Sequence, residues 1–313
     1  MQVLVENDPL DKSGGYKIGG LQNRGSTKEN ITPSINRRAT KGGCLPQLAD
    51  HYNMNRTPTL SQKFLAELLG TSFLVWVGPG SITTTNFIAG GKVPFTMADL
   101  GIIALAFAFA IAAMVYTIGH ISGCHINPAV TLAFAVTKRI SWNEAAVYWG
   151  GQLIGAFLGA AFIGVCYGFT TAATIGYGAT NFSDANTGYI VATAAEIIGT
   201  FFLLLVIMGT AVDGRAPAGW AGFIIALAVA ADILAFGPVT NVALNPFRAL
   251  APAVLQVVFG GTYNLAHLIV YFVGPIVGGI LGVLVYDFMT RTRIVGSAEL
   301  GGVAESAVEH HHS

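Results

Sequence analysis

The chain has 313 residues, of which 53% are hydrophobic and only 10% are charged, with 16 basic and 16 acidic residues. Soluble domains carry about a quarter charged residues, so this composition excludes an ordinary soluble protein and favours one that crosses a membrane. The balanced charge offers no basic surface for nucleic acid, which we do not expect as a partner.

Six long apolar segments follow a polar start of the chain. Residues 1–60 are rich in Asn, Gly, Thr and basic residues and lack a leading apolar run, so we predict a disordered tail and no signal peptide. A membrane span takes about 20 apolar residues. Six segments approach or exceed that length: Phe64–Ile82, Asp99–Ile118, Trp142–Phe169, Ile190–Val212, Trp220–Phe236 and Leu265–Phe288. They place a membrane domain at 61–290 and a short polar tail at 291–313.

Two Asn-Pro pairs interrupt this pattern, one after the second segment and one after the fifth. Asn is a favoured residue just before a helix, and Pro suits the first helical position, so each pair predicts a helix start. The two motifs are Asn127-Pro128-Ala129 and Asn245-Pro246-Phe247. The apolar runs after them are too short to cross a bilayer at about 1.5 Å per residue. We predict two half-helices that dip into the membrane, over Ala129–Val136 and Phe247–Val258.

An internal repeat relates the two halves of the membrane domain. The first and fourth segments share the pattern Ala-Glu-x-x-Gly-Thr, with the acids at Glu67 and Glu196. Three spans in each half give the halves opposite orientations, which is the inverted-repeat layout of many transport proteins. We therefore predict an inverted 3+3 repeat with halves at 61–169 and 189–290. In that layout the half-helices enter from opposite faces and their N-termini meet near the midplane.

The positive charges predict the orientation of the domain. In a six-span count, one side carries most of the basic loop residues, and the other side carries only Lys92. Because cytoplasmic loops are enriched in Lys and Arg, both termini are predicted to be cytoplasmic. The residues on the predicted cytoplasmic side are Lys63, Lys138, Arg139, Arg215, Arg291 and Arg293.

These motifs resemble those of the aquaporin (major intrinsic protein) family over about residues 63–289. Within that range, residues 106–131 look most like the archaeal aquaporins. The resemblance implies an all-α protein of the cell membrane, with six spanning helices and two re-entrant half-helices. It implies a passive channel for water, with glycerol and other small neutral solutes as further candidate substrates. Family members form homotetramers with a pore in each subunit, and we expect the same here.

The resemblance also assigns the residues of a selectivity constriction. Arg248 falls where the family has its constriction arginine, and the other three positions are Phe107, Ile233 and Val242. Ordinary packing is the alternative for those three, and a salt bridge to Glu196 is the alternative for Arg248. Ile233 stands where strict water channels of the family have His, so the constriction is expected to be more apolar.

The paired Asn side chains and the buried acids have their own expected roles. Asn127 and Asn245 would each donate an amide hydrogen to a passing water, unless they only cap helices. Glu67 and Glu196 are expected to accept hydrogen bonds from the dipping loops, with Gln152 in a similar role, because an unpaired buried charge is costly. Proton relay is the alternative for the two acids.

Phe247 departs from the family pattern, which has Ala at this place in the second motif. The ring either packs among neighbouring helices or narrows the pore at the midplane. The three cysteines show no paired spacing, so we predict no metal site, and we expect no cofactor.

Two other classes of function compete with a channel. An ion-coupled secondary transporter would share the inverted repeat, but it would need acids placed to bind an ion at the midplane. Glu67 and Glu196 lie near span ends instead. A membrane enzyme is disfavoured because no nucleophile and base are paired in the sequence, so the protein is expected not to be an enzyme.

Overall fold

The computed structural model describes residues 57–90 and 96–290. Apart from residues 57–60, the predicted tails at 1–60 and 291–313 lie outside the described residues, as does Lys92. The described helices are α1 (Leu60–Ile88), α2 (Met97–Ser122), α3 (Pro128–Val136), α4 (Trp142–Tyr167), α5 (Phe169–Thr174), α6 (Gly188–Ile207), α7 (Ala221–Thr240), α8 (Pro246–Val258) and α9 (Leu268–Thr290). A π-helical turn, Met208–Val212, continues α6, and a 3₁₀ turn, Leu265–His267, leads into α9. Among these elements, six helices are long and apolar enough to cross a membrane, namely α1, α2, α4, α6, α7 and α9.

Local signals set where the spanning helices begin. Thr59 caps α1 and exchanges hydrogen bonds with Gln62, and Thr96 caps α2 and exchanges them with Asp99. Such a reciprocal pair satisfies amide groups that have no partner inside the helix. The caps place the start of α1 four residues before the predicted Phe64.

Two helix ends differ from the prediction for reasons of backbone geometry. The third span was predicted to reach Phe169, but α4 ends at Tyr167 because Gly168 has a φ of 83°. The fifth span was predicted to end at Phe236, yet α7 continues to Thr240 beyond a kink at that residue (φ −140°). Pro238, two residues later, lacks the N–H that would have bonded back to the preceding turn, which explains a kink without termination.

Glycines bring the helices of each half into close contact. In the first half, Gly151, Gly155 and Gly159 of α4 face backbone carbonyls of α1, and an added Cβ would overlap them. In the second half, α9 contacts α6 in the same way through Gly274, Gly278 and Gly282. Small residues allow such close approach of helices in a membrane. The two halves thus repeat the same helix pair, as the inverted repeat predicts.

The two half-helices lie inside the bundle, between the spanning helices. The short helix α3 packs against α4 and α9, and α8 packs against α4, α9 and α1. Most side chains of α3 are buried, including those of Ala129, Thr131 and Ala133. Outward-facing positions of the long helices are instead apolar and exposed, for example Ile102, Ile190 and Phe288. The fold is therefore an all-helical bundle with a lipid-compatible exterior and two short helices at its centre.

Candidate functional site

The loops that lead into α3 and α8 have the same unusual backbone. Cys124 and Ile126 have φ values of 51° and 42°, and Val242 and Leu244 have values of 45° and 52°. Positive φ is uncommon for residues with a side chain and strained for β-branched ones, so the surroundings must hold these loops in place.

Two buried glutamates provide that hold. Glu67 accepts hydrogen bonds from the backbone N–H groups of His125 and Ile126, at 2.9 and 2.7 Å. Glu196 accepts from Ala243 and Leu244 in the other half, at 2.9 and 2.8 Å. Both glutamates have no exposed surface. Non-helical backbone inside a membrane needs such partners, because no water is available there.

A second layer of residues, which the sequence analysis missed, surrounds each glutamate. The Ser122 hydroxyl donates to Glu67 at 2.6 Å, and the Thr240 hydroxyl donates to Glu196 at 2.7 Å. The Tyr148 hydroxyl donates to the backbone carbonyl of Ser122 at 2.6 Å. The Tyr271 hydroxyl donates to the backbone carbonyl of Thr240 at 2.9 Å. Ser122 and Thr240 each lie five positions before the Asn of their motif. This shared spacing of a hydroxyl residue in the two halves could have identified them from the sequence.

Gln152 adds hydrogen bonds to the support of the first half only. Its amide donates to Glu67 at 2.7 Å and to the Thr131 hydroxyl at 2.9 Å. Gln152 lies four residues after Tyr148, and the residue four after Tyr271 is Pro275, which has no side-chain donor. The loop and hydroxyl hydrogen bonds to Glu67 and Glu196 are therefore alike, but a side-chain amide is added only in the first half.

Asn127 and Asn245 are brought together at the centre of the bundle. Each caps its half-helix: Asn127 accepts from the N–H of Ala129 at 2.9 Å, and Asn245 accepts from Phe247 and Arg248 at 3.1 and 3.2 Å. Pro128 and Pro246 occupy the first helical positions.

The amide nitrogens of the two Asn residues reach across the repeat. Asn127 donates to the carbonyl of Leu244 at 2.7 Å, and Asn245 donates to the carbonyl of Ile126 at 2.8 Å. Each amide therefore ties its own half-helix to the loop of the other half, and the two helix N-termini face one another.

A cavity of about 190 Å³ passes these two amides. At one end it is lined by apolar residues of α2, the π turn and α7, including Val115, Val212 and Val229, and it continues past Asn127 and Asn245. At the other end it reaches Phe107 and Arg248. A second recess, of about 390 Å³, lies between the start of α2 and the end of α7, and its lining includes Phe107, Ile233 and Asn241. Phe107 thus lies at the junction of the two spaces.

Arg248 presents unpaired donors at this junction. The residue is 1% exposed, and its Nη1 donates to the carbonyl of Gly178 at 3.3 Å. The guanidinium carbon lies 5.0 Å from the centre of the Phe107 ring. Neither Nε nor Nη2 has a hydrogen-bond partner among the described residues, and no described carboxylate forms an ion pair with the group. A buried guanidinium with free N–H groups is suited to bind polar molecules that pass through the cavity.

The other predicted constriction residues take different places. The Phe107 ring occupies space that a side chain at Gly78 would fill. Ile233 is 4% exposed and lines the second recess. Val242 is 3% exposed and is absent from the described lining of both spaces, so its place in the constriction stays a prediction.

The Phe247 ring points away from the cavity. It packs with the apolar cluster between α1, α4 and α8 that contains Val75, Ala160 and Ala251, and its centre lies 6.5 Å from that of Phe272. The geometry is that of the packing alternative, in which the midplane is not narrowed by this ring.

Six spanning helices, two half-helices with facing N-termini and a lined cavity define a membrane channel. The major intrinsic protein family matches residues 54–286, and the chain belongs to this family. It is 41% identical to aquaporin AqpM of Methanothermobacter thermautotrophicus over 243 residues, covering 74% of this chain and 98% of that relative. The probable aquaporin AqpM of Archaeoglobus fulgidus is 40% identical, covering 75% and 99%. A probable aquaporin NIP4-2 of Arabidopsis thaliana is 35% identical, covering 74% and 76%.

A solved structure shares this fold. The aquaglyceroporin from Plasmodium falciparum superimposes with a TM-score of 0.64 at 26% identity, covering 73% of this chain and 96% of that chain. Family and fold together confirm the predicted resemblance and the all-α architecture. The protein is a multi-pass membrane channel for water and neutral solutes, rather than an enzyme.

Proposed function

We propose that Phe107, Ile233 and Arg248 form the selectivity constriction of this channel, which passes water and small neutral polyols. The observation that carries the proposal is the pair of unpartnered Arg248 nitrogens beside the Phe107 ring, at the junction of two spaces. The guanidinium donors bind the oxygen of a solute, and the Phe107 ring, which the guanidinium contacts, forms the adjacent apolar wall. Val242 is proposed as the fourth position of this constriction.

Cation exclusion follows from the charges that face the pore. The N-termini of α3 and α8 each carry positive partial charge, equivalent to about half an elementary charge. Arg248 adds a full positive charge close by. A proton or metal cation that enters the constriction therefore meets repulsion, whereas a neutral molecule does not.

Asn127 and Asn245 are proposed to orient water at the centre of the pore. An Asn amide nitrogen has two hydrogens, and the cross-repeat bond uses one of them in each residue. The second hydrogen donates to a passing water oxygen. A water held in this way by both amides points its own hydrogens outward, which interrupts proton transfer along the file. Glu67, Glu196 and Gln152 support the loops that place the amides.

Ile233 is proposed to widen the range of solutes beyond water. An apolar side chain there removes a polar partner that strict water channels of the family have, so the constriction tolerates the carbon backbone of a polyol. We propose glycerol as the test solute because its hydroxyl groups match the donors of Arg248.

The oligomeric state and the orientation in the membrane are proposed as well. We propose a homotetramer with a pore in each subunit, and both termini in the cytoplasm. The orientation is supported by basic residues on the face where α1 begins, such as Lys63 and Arg139, which pair with Glu144 and Asp287 at 2.5 Å. Chemical cross-linking in detergent tests the tetramer. Labelling of a cysteine introduced near a terminus, in intact cells, tests the orientation.

Osmotic shrinkage of proteoliposomes tests the transport proposal. In a sucrose gradient, stopped-flow light scattering is expected to show water flux with a weak temperature dependence, well above that of protein-free vesicles. In a glycerol gradient, shrinkage should be followed by re-swelling as glycerol enters. Flux that saturates at low solute concentration or requires an ion gradient would contradict a channel, and absence of re-swelling would remove glycerol from its substrates.

A further inference from the structure

A buried histidine lies on the face opposite the start of α1, outside the constriction. His267 belongs to the turn that precedes α9, and its side chain is 5% exposed. The ring of Phe182 stacks on it at 4.0 Å between centres, and the ring of Tyr189 meets it edge-on at 5.5 Å. The imidazole is therefore fixed in both position and plane.

Each ring nitrogen of His267 faces an acceptor. Nδ1 lies 2.6 Å from Oδ1 of Asn181, and this oxygen also accepts the backbone N–H of Phe182 at 3.0 Å. Nε2 lies 3.1 and 3.3 Å from the two carboxylate oxygens of Asp184. A neutral imidazole has a single N–H, whereas the imidazolium has two. Only the protonated ring can donate to both neighbours at once.

The segment that His267 holds is the one that contacts Arg248. Residues 178–184 connect the constriction to this cluster: the carbonyl of Gly178 accepts from Arg248, and Asn181 and Asp184 face the ring. The backbone of Asn181 also donates to the side chain of Asn241 at 3.3 Å, next to the second recess. Gly178 is itself pressed against the carbonyl of Pro79, where a side chain would overlap it.

We propose that His267 is a positioning residue of the constriction. As an imidazolium that bridges Asn181 and Asp184, it fixes residues 178–184 and thereby the Gly178 carbonyl that orients Arg248. Loss of the ring proton breaks one of the two contacts and loosens the constriction. This inference rests on the proposed role of Arg248.

The charged and titratable groups around the ring come from each packed element. Asp184 faces it from the loop, Tyr189 from α6, and Tyr263 from the connection before α9, at 6.4 Å between ring centres. Tyr271 of α9 packs against Phe182, and the positive charge of Arg248 acts on Tyr263. Of these groups, Asp184 alone supplies a negative charge in contact with the imidazole, so it governs whether a second ring proton is needed.

The variant D184N removes the need for a second proton on the His267 ring. Its amide can donate to Nε2 of a neutral His267 while Nδ1 still donates to Asn181, so the cluster is satisfied without the second proton. The Asp184 side chain is 60% exposed, and its replacement leaves the core packing intact. The matched control is D287N, which removes an acid on the opposite face, where Asp287 pairs with Arg139.

The transport readout is the ratio of glycerol to water permeability in proteoliposomes with equal pH on both sides. From about pH 5 to about pH 8 we expect the ratio to rise about threefold in the wild type and in D287N, a change equivalent to one hydrogen bond. In D184N the ratio should stay at the low value. An equal response in D184N and D287N, or a constant ratio in the wild type, would overturn the proposal.

A direct measurement accompanies the transport assay. In protein labelled with ¹⁵N-histidine, the His267 signals, assigned by their loss in H267N, should show both ring nitrogens protonated at about pH 5 in the wild type. D184N should show one protonated nitrogen at a pH where the wild type still shows two. A neutral wild-type ring at the acidic end would overturn the proposal. Wild-type water flux tests the channel itself, so the two failures are distinguishable.

Discussion

Asn127 and Asn245 exchange contacts across the repeat: each side-chain amide donates to the loop carbonyl beside the other residue, at 2.7 and 2.8 Å. The same side chains cap α3 and α8 with their oxygens. One residue type therefore fixes the helix start and joins the two halves. Because the bonds are reciprocal, neither half-helix can shift along the pore without breaking a contact of both.

Replacement of either Asn by Ala should weaken the protein to a similar extent. Loss of a cap costs about 0.5–2 kcal/mol, and loss of the cross-repeat bond adds about 1 kcal/mol. We expect N127A and N245A each to lower the thermal unfolding temperature in detergent and to reduce water permeability. The control N86A removes an Asn that donates to the carbonyl of Ile175, away from the pore. Unchanged stability in both central variants would contradict the structural role.

Arg248 should govern what the constriction rejects. In R248V the positive charge is lost and the shorter side chain leaves a wider constriction, so we expect proton leakage to appear and the glycerol-to-water permeability ratio to rise about tenfold, equivalent to about 1.4 kcal/mol. A pH-sensitive dye inside proteoliposomes and stopped-flow scattering measure the two effects.

R248K is the matched control for that experiment. Lys retains the charge but not the planar fork of donors, so the proton barrier should persist while solute discrimination changes. If R248V stays impermeable to protons and keeps the wild-type ratio, Arg248 is not the barrier residue.

Ile233 should set the tolerance for polyols. In I233H a longer, polar ring stands beside Phe107, so glycerol flux is expected to fall by about tenfold, while water flux falls by less than a factor of about two. The control I233V keeps an apolar side chain and should keep or raise glycerol flux. Equal losses of water and glycerol in I233H would indicate general obstruction instead of altered selectivity.

Helix packing can be tested with a pair of Gly-to-Ala variants. A Cβ at Gly155 would overlap the carbonyl of Leu68 on α1, whereas a Cβ at Gly101 of α2 meets nothing within 4 Å. Overpacking costs about 1–3 kcal/mol, so G155A should lower the unfolding temperature and the yield of folded protein. G101A should be neutral or slightly stabilising, because Ala favours the helix by about 1 kcal/mol over Gly. Equal stability of the two variants would contradict the close approach of α1 and α4.

Local sequence patterns were sufficient to predict the architecture. Apolar length determined the six spans, and the Asn-Pro pairs determined the two half-helices, which begin one residue before the predicted runs at Pro128 and Pro246. The repeated Ala-Glu-x-x-Gly-Thr pattern determined the relation between the halves. The prediction of helix ends was less accurate where a single backbone angle determines the end, as at Gly168 and Phe236.

Contacts between distant segments were decided by the tertiary structure alone. No local pattern indicates that Phe247 turns away from the cavity, that Arg248 meets the carbonyl of Gly178, or that His267 lies between Asn181 and Asp184. A periodic pattern specifies which face of a helix is apolar, because burial depends on spacing along one helix. Which donor meets which acceptor depends on how separate helices and loops are arranged in three dimensions, and that arrangement exists only once the bundle has packed.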